Sequence, residues 1–441
     1  MIFSGIYARG AVQAQLSDRA FVQAMLDVEV ALAHALVRSG LAAPQAVDEL
    51  TEACRDAASF DIEAIGRSVA DKGTPVPGLL TAIRERVSKD AAGCLHRGAT
   101  SQDIVDTAMM LVAQRALEPA IDDLTGACDT CAELATAHRA TLMVGRTLLQ
   151  QASPITFGLK AARWLDALDA ARLELTAVRA RVLAVQLGGA VGTLAALGDH
   201  GLEVVVDVAR QLELADPGSP WHTNRARPAR LACALGSALG TMAKIARDLV
   251  LLAQTEVGEA TESAALGRGG SSTLPHKRNP VGAVAVLACA GRSPGLVADV
   301  LAAMAQEHER AAGAWQGEWG ALLELLGLAG SAAASLRETL ANLELDPNRM
   351  RVNIDPHVMA ESVVTALGGG AAAQNLVEQA ANASLRERRP FRDVLLEQPE
   401  VAAELGDAGL GRALDPMRYL GVADQLIDRA LEAFGYVRDD A

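Results

Sequence analysis

Between Gly158 and Gly188 the chain runs for 29 residues without a Gly or Pro, and Leu165, Leu168, Leu175, Val178, Val182 and Val185 recur at spacings of mainly three, four or seven. That pattern predicts one amphipathic helix of roughly 44 Å at 1.5 Å per residue. Comparable stretches run from Pro228 towards Gly258, onward from Pro280, and between Gly317 and Asp346, so the middle of the chain reads as a bundle of unusually long helices. Hydrophobic residues make up 50% of the sequence but aromatic ones only 3%, which leaves Ala, Leu and Val to fill the core. Small Ala-rich faces let helices approach closely, and the abundant Ala, Leu, Glu and Arg favour helix over strand. The expected fold class is all-α.

At the N-terminal end, Ser17 or Asp18 starts a helix whose stripe is Phe21, Met25, Leu32 and Leu36, and Gly40 supplies its stop. Asp346-Pro347 marks a boundary, Gly368-Gly369-Gly370 reads as a turn, and the Arg386-to-Arg392 cluster reads as a solvated helix end. The expected division is a helical domain over 1–106, a long-helix bundle over 107–345 and a helical domain over 346–441. Long Ala-rich helices expose more apolar stripe than one chain covers, which favours a symmetric oligomer.

A formal net charge of −14 argues against nucleic acid or an anionic membrane as partner, so an anionic ligand needs a local basic pocket. Cys54, Cys94, Cys128, Cys131, Cys233 and Cys289 are scattered through helical sequence and read as small buried thiols; Cys128-x-x-Cys131 has redox spacing but no second pair or His ligands. No leader opens the sequence and no uncharged apolar run looks long enough to cross a bilayer, which sets cytoplasmic as the expectation.

Chemistry concentrates in three segments. Gly269-Gly270-Ser271-Ser272-Thr273-Leu274-Pro275-His276-Lys277-Arg278-Asn279-Pro280 packs hydroxyls, an ammonium, a guanidinium and a carboxamide into a Gly- and Pro-bounded loop. Glycines let backbone approach a ligand and prolines stiffen the frame, with Lys277 available to face a carboxylate. His96-Arg97-Gly98-Ala99-Thr100-Ser101-Gln102-Asp103 puts two hydroxyls just before a helix predicted to begin near Asp103, where free N–H groups favour anions. The third is Gly145-Arg146-Thr147-Leu148-Leu149-Gln150-Gln151-Ala152-Ser153-Pro154. His308 and Arg310, between Glu307 and Glu309, admit two readings: a salt-bridge set on a helix, or substrate contacts. His34, His138, His200 and His357 read as structural.

The loop resembles the signature of the fumarase and aspartase superfamily, G-S-S-x-M-P-x-K-x-N-P, with Leu274 where that family has Met. The segment from His96 resembles the superfamily's H-x-G-x-T-S-x-D, and the third segment resembles its next conserved stretch. The resemblance covers nearly the whole chain and implies a three-domain fold with a central bundle of long helices. It also implies homotetramers whose active sites are each built by three subunits. Ser271 then takes the role of proton-transfer residue with Lys277 beside it, and His96, Thr100, Ser101, Thr147, Gln150, Ser272, His276, Asn279 and Arg310 take substrate-binding roles. No metal or cofactor is implied.

In adenylosuccinate lyase a His proposed as general acid stands at the position of Leu148, and its Glu partner at that of Val284. Expelling a nitrogen base benefits from an acid; expelling a carboxylate does not. The missing pair thus points to a carboxylate leaving group, as in the bacterial 3-carboxy-cis,cis-muconate cycloisomerase branch of the superfamily. Trp221-His222-Thr223, Gln306 to Arg310, Trp315 to Trp319 and Leu414-Asp415-Pro416 extend that resemblance. The branch has Trp at Leu148 and Gln-Arg-Asp-Arg at Asn224-Arg225-Ala226-Arg227. The expectation is lactonisation of a small tricarboxylate in aromatic catabolism. The rivals are an elimination lyase on an adenylosuccinate-, argininosuccinate- or nitrosuccinate-like substrate, and a structural protein that keeps the fold without catalysis.

Overall fold

The computed structural model describes residues 2, 4–263, 269–270, 273–274 and 276–436. The fold is all-α, with two short two-stranded antiparallel sheets among the described residues. The long helices are Asp18–Arg38, Ser101–Ala137, Phe157–Arg181, Ala226–Leu252, Val281–Ala302 and Ala314–Ala341. The chain divides into two compact units. The first comprises Met1–Thr125, Ala170–Ala246 and Val284–Arg337; the second comprises Gly126–Asp169, Arg247–Ala283 and Glu338–Ala441.

In the first unit the Asp18–Arg38 helix begins and ends as its residues dictate. Ser17 accepts the Ala20 N–H at 3.2 Å, and Gly40, at φ +69°, closes the far end by letting Leu41 N–H reach the Leu36 carbonyl. Met25, Leu32 and Leu36 are buried, while Phe21 is half-buried. Scarcity of aromatic bulk is matched by close approach. A Cβ on Gly330 would meet Val12 Cγ2 at 2.4 Å, and one on Gly236 would meet Val297 Cγ2 at 2.8 Å, so these helix faces touch where no side chain fits.

In the second unit, Leu142–Thr147 and Gln150–Thr156 form a hairpin, and Ala260–Glu262 pairs with Leu343–Leu345. Trp164 is fully buried, donates its indole N–H to Asp248 at 2.8 Å and meets Phe157 edge-on at 5.7 Å. Asp346 caps the Pro347–Val352 helix by accepting the Arg349 N–H at 2.8 Å, and the three glycines 368–370 all adopt positive φ. The C-terminal segment has its own small core of Val363, Val377, Phe391, Leu395, Val401 and Leu410.

Three expectations need correction. The helix after Gly158 stops at Arg181, because the next residues leave it for a parallel bridge between Ala184 and Ala215, with Val185 N–H on the Ala215 carbonyl at 3.2 Å. It is therefore about 37 Å long. Among the described residues three helices, Asp18–Arg38, Val281–Ala302 and Ala314–Ala341, are by length and composition apolar enough to cross a membrane, contrary to the reading above; in the fold 61%, 33% and 72% of those windows are buried. Cys233 is exposed, whereas the other five cysteines are buried, and burial pushes the Cys54 thiol up to about 12. The Arg386-to-Arg392 cluster lies at the exposed end of the Gly370–Glu387 helix, as expected, and is ion-paired there: Arg389 bridges to Glu397, and Arg392 to Asp407 at 2.7 Å.

Gly158 offers a direct test of the close-packing argument. A Cβ there would lie 2.7 Å from both the Ala135 carbonyl oxygen and Arg139 Cα, backbone atoms that cannot swing aside. Gly158→Ala is expected to cost about 1–3 kcal/mol, read from the urea unfolding midpoint; an unshifted midpoint contradicts the packing.

Candidate active site

Each group of site residues is held by its own local architecture. In the second unit the signature loop is pinched at its neck: Gly270 and Arg278 form an antiparallel bridge, and Asn279 N–H donates to the Gly269 carbonyl at 2.9 Å. Gly269 sits at φ +64°, and a Cβ there would lie 2.6 Å from the Asn279 carbonyl oxygen, so only glycine permits this neck. Arg278 is drawn off to Glu344 at 2.8 Å. His276 and Lys277 are exposed and Asn279 is half-buried. Ser271, Ser272 and Pro275 lie outside the described residues.

The helix that follows the loop has its free N–H groups already occupied. Val281 N–H donates to the Asn279 carbonyl at 2.9 Å, and the Glu262 carboxylate accepts from Gly282 at 3.0 Å and Ala283 at 2.8 Å. The helix end therefore has little left to offer an anion, while Lys277 is an exposed cation on the loop.

Thr147 and Gln150 face each other as the last pair of the hairpin, and both are exposed. Between them Leu148 and Leu149 form a two-residue turn at φ +50° and +64°, the left-handed geometry of a type I′ turn. Both are strongly exposed, at 96% and 71%. The hairpin is braced by Arg146, whose guanidinium bonds the fully buried Glu259 at 2.8 and 2.6 Å while Asn353 donates to the same carboxylate at 2.8 Å.

In the first unit, His96 sits at φ +61° with its Nδ1 2.7 Å from the fully buried Glu29 and its N–H on the other oxygen at 2.9 Å. Thr100 and Ser101 open the Ser101–Ala137 helix, and the Asp103 carboxylate accepts the Thr100 N–H at 2.9 Å, as in a capping box. Asp103 also accepts from Gly188 N–H at 3.0 Å, Gly189 N–H at 2.9 Å, Gln186 Nε2 at 3.2 Å and His222 Nε2 at 2.7 Å. Arg310 donates to Gln102 Oε1 at 3.1 Å and to the Ala190 carbonyl at 2.7 Å. The 307–310 segment is a turn rather than a helix, with His308 at φ +45°, so the helical salt-bridge reading falls.

Beside this lies a buried ion cluster that sequence reasoning missed. Arg225 bonds Asp106 at 2.8 and 3.0 Å and Glu318 at 2.8 Å, all three side chains almost wholly buried. Trp315 Nε1 donates to Asp106 at 2.9 Å, Gln306 to Glu318 at 3.0 Å, and the guanidinium lies 4.9 Å over the Trp221 ring. Burial pushes the Glu318 carboxyl above its ordinary range, against the pull of Arg225. Arg225 lies 119 residues from Asp106 and 93 from Glu318, beyond any local motif.

The long-helix fold and the pinched signature loop define a class, and the chain belongs to the lyase family of the fumarase and aspartase superfamily. Its residues 7–295 match the family model described as lyase, and residues 356–430 match that of the adenylosuccinate lyase C-terminus. It is 42% identical to the 3-carboxy-cis,cis-muconate cycloisomerase of Bradyrhizobium diazoefficiens, with 98% of each chain covered. It is 40% identical to the nitrosuccinate lyase of Streptomyces davaonensis, over 98% of this chain and 94% of the relative. Its structure resembles the crystal structure of the 3-carboxy-cis,cis-muconate lactonizing enzyme from Pseudomonas putida, with a TM-score of 0.93, 40% identity, and 98% and 99% of the two chains covered.

The buried cluster makes a two-part prediction. Arg225→Met leaves two carboxylates facing each other out of water and is expected to destabilise by about 3–5 kcal/mol near neutral pH. Because the stranded acids then hold protons more tightly folded than unfolded, stability falls as pH rises through their range, so the loss is smaller at pH 5 than at pH 8. Urea unfolding at the two pH values reads this; an equal loss at both contradicts the charge argument.

Proposed function

We propose that the protein closes 3-carboxy-cis,cis-muconate to 4-carboxymuconolactone, a step of aromatic catabolism. The observation that carries this reading is the apolar pair at the positions of an acid dyad: Leu148 at the exposed hairpin tip and Val284, 47% exposed on the Val281–Ala302 helix. Neither holds a proton to give. Lactonisation needs none for its leaving group, since in the reverse, ring-opening sense that group is a carboxylate. The curated cycloisomerases and the Pseudomonas putida structure support the same choice.

One carboxylate of the open acid attacks the conjugated carbon in the same molecule, and the electron pair moves onto the conjugated carboxylate as an enediolate-like anion. Lys277, Asn279, Thr100 and Ser101, with N–H groups of the Gly269–Gly270 turn, stabilise that charge as a preorganised anion site. Ser271 delivers a proton to the carbon and is reprotonated from solvent. His96, Thr147, Gln150, Ser272, His276 and Arg310 hold the remaining carboxylates. Intramolecular attack asks for a held conformation more than an activated nucleophile.

The sites belong to a homotetramer in which chains share active sites. Supporting this are the two exposed leucines at the hairpin tip and the apolar Val281–Ala302 helix, most of whose window is exposed or half-buried. A division into three domains at about residues 106 and 345 and a cytoplasmic location complete the reading.

A second reading, elimination of nitrite from nitrosuccinate, is favoured by the Streptomyces davaonensis relative. It too expels an anion that needs no strong acid. Mixing the purified protein with each substrate separates the two: the first reading expects loss of the diene's ultraviolet absorbance and no nitrite, and nitrite release with unchanged diene overturns it. Ser271→Ala is expected to keep fold and substrate binding while turnover falls by about 10²–10⁴, the scale of a lost proton-transfer group; near-normal turnover removes Ser271 from the mechanism. Lys277→Ala is expected to raise KM and lower kcat together, since it holds the carboxylate in the ground state and more strongly as charge builds there in the transition state; unchanged steady-state constants exclude that contact.

A further inference from the structure

Asp103 does more than cap its helix. Its two oxygens receive five donors from three separate stretches: Thr100 at the helix start, Gln186, Gly188 and Gly189 in the turn beyond the Phe157–Arg181 helix, and His222. Asp103 is buried, so every one of those bonds stands in place of water.

The same turn is gripped from its other side. Arg310 donates to the Ala190 carbonyl at 2.7 Å and the Gly189 carbonyl at 3.4 Å, while Asp103 takes the N–H groups of Gly188 and Gly189. An anion on the N–H side and a cation on the carbonyl side fix the peptide planes between them. The clamped turn in turn touches the 96–101 segment: Gly189 is at φ +70°, and a Cβ there would be 2.9 Å from the Gly98 carbonyl oxygen. Gln102 ties in the third stretch by donating to the His222 carbonyl at 2.8 Å. Thr100 and Ser101 thus start their helix on a platform whose position Asp103 sets.

We propose that Asp103, held by the Nε2–H of His222, is the positioning residue for the Thr100–Ser101 carboxylate site, acting through the clamped Gly188–Ala190 turn. This rests on the assignment of Thr100 and Ser101 to substrate carboxylate made above. An Asn at 103 keeps the shape but turns one acceptor into a donor that faces backbone N–H groups. A Gln at 222 keeps an N–H near Nε2, whereas Leu removes it.

The test compares Asp103→Asn, His222→Gln and His222→Leu with the wild type. It reads kcat and KM with 3-carboxy-cis,cis-muconate, and the Kd of propane-1,2,3-tricarboxylate by calorimetry. Asp103→Asn and His222→Leu are expected to raise KM and Kd at least about tenfold with a smaller loss of kcat, and His222→Gln to stay within about threefold of wild type. A folded Asp103→Asn with wild-type KM and Kd, as a purely structural role requires, overturns the proposal. So does a His222→Gln as impaired as His222→Leu, and this pair decides the matter if Asp103→Asn does not fold. Wild-type protein that binds the tricarboxylate but leaves the diene intact sinks the functional reading alone, with Kd still reporting on Asp103. Wild-type protein that binds neither overturns both.

Discussion

A carboxylate buried among N–H donors has one stable arrangement, and Asp103 imposes it on three stretches of chain that are remote in sequence. Unpaired, that charge would cost several kcal/mol out of water; with five donors it becomes a fixed point about which the start of the Ser101–Ala137 helix is set. Asp106, one turn further along the same helix, does the same for Arg225 and Trp315, and Arg225 carries the link on to Glu318. Two acidic residues at i and i+3 on one helix therefore organise the polar interior of the first unit, within a core that is otherwise mostly Ala, Leu and Val.

The second unit solves a different problem. Its loop must present Lys277 and Asn279 without collapsing onto the helix behind it, and it does so by closing its own neck and giving the helix N–H groups to Glu262. Arg146 and Glu259 stiffen the hairpin in the same spirit, leaving its tip to carry two leucines in left-handed geometry. A turn of that type favours Asn or Gly, so leucines there accept local strain. In the proposed reading their value lies in what they lack, a titratable proton, and in the apolar surface they offer.

How much of this was legible beforehand depends on how local each signal is. Ser17, Gly40 and Asp346 announce helix ends because capping is a matter of adjacent residues. The end at Arg181 was hidden because Val182 and Val185 keep the helical spacing while Ala184 bridges to Ala215, a partner 31 residues away that no periodicity reveals. The Arg225 cluster was invisible for the same reason on a larger scale. Asp103 was visible only as the end of a motif; its role comes from the turn at 188–190, whose double glycine was the available hint. The signature loop was legible from residue types and its resemblance, since Gly269 at its neck is demanded by a positive φ and by the nearness of the Asn279 carbonyl.

The account turns on a proton reaching carbon during ring closure. Running the reaction in deuterium oxide and reading the product by nuclear magnetic resonance tests that step directly. The expected product is a lactone carrying one deuteron on the carbon beside the carboxylate, in a single configuration. A product without deuterium at that carbon, or with deuterium scrambled over both faces, contradicts it.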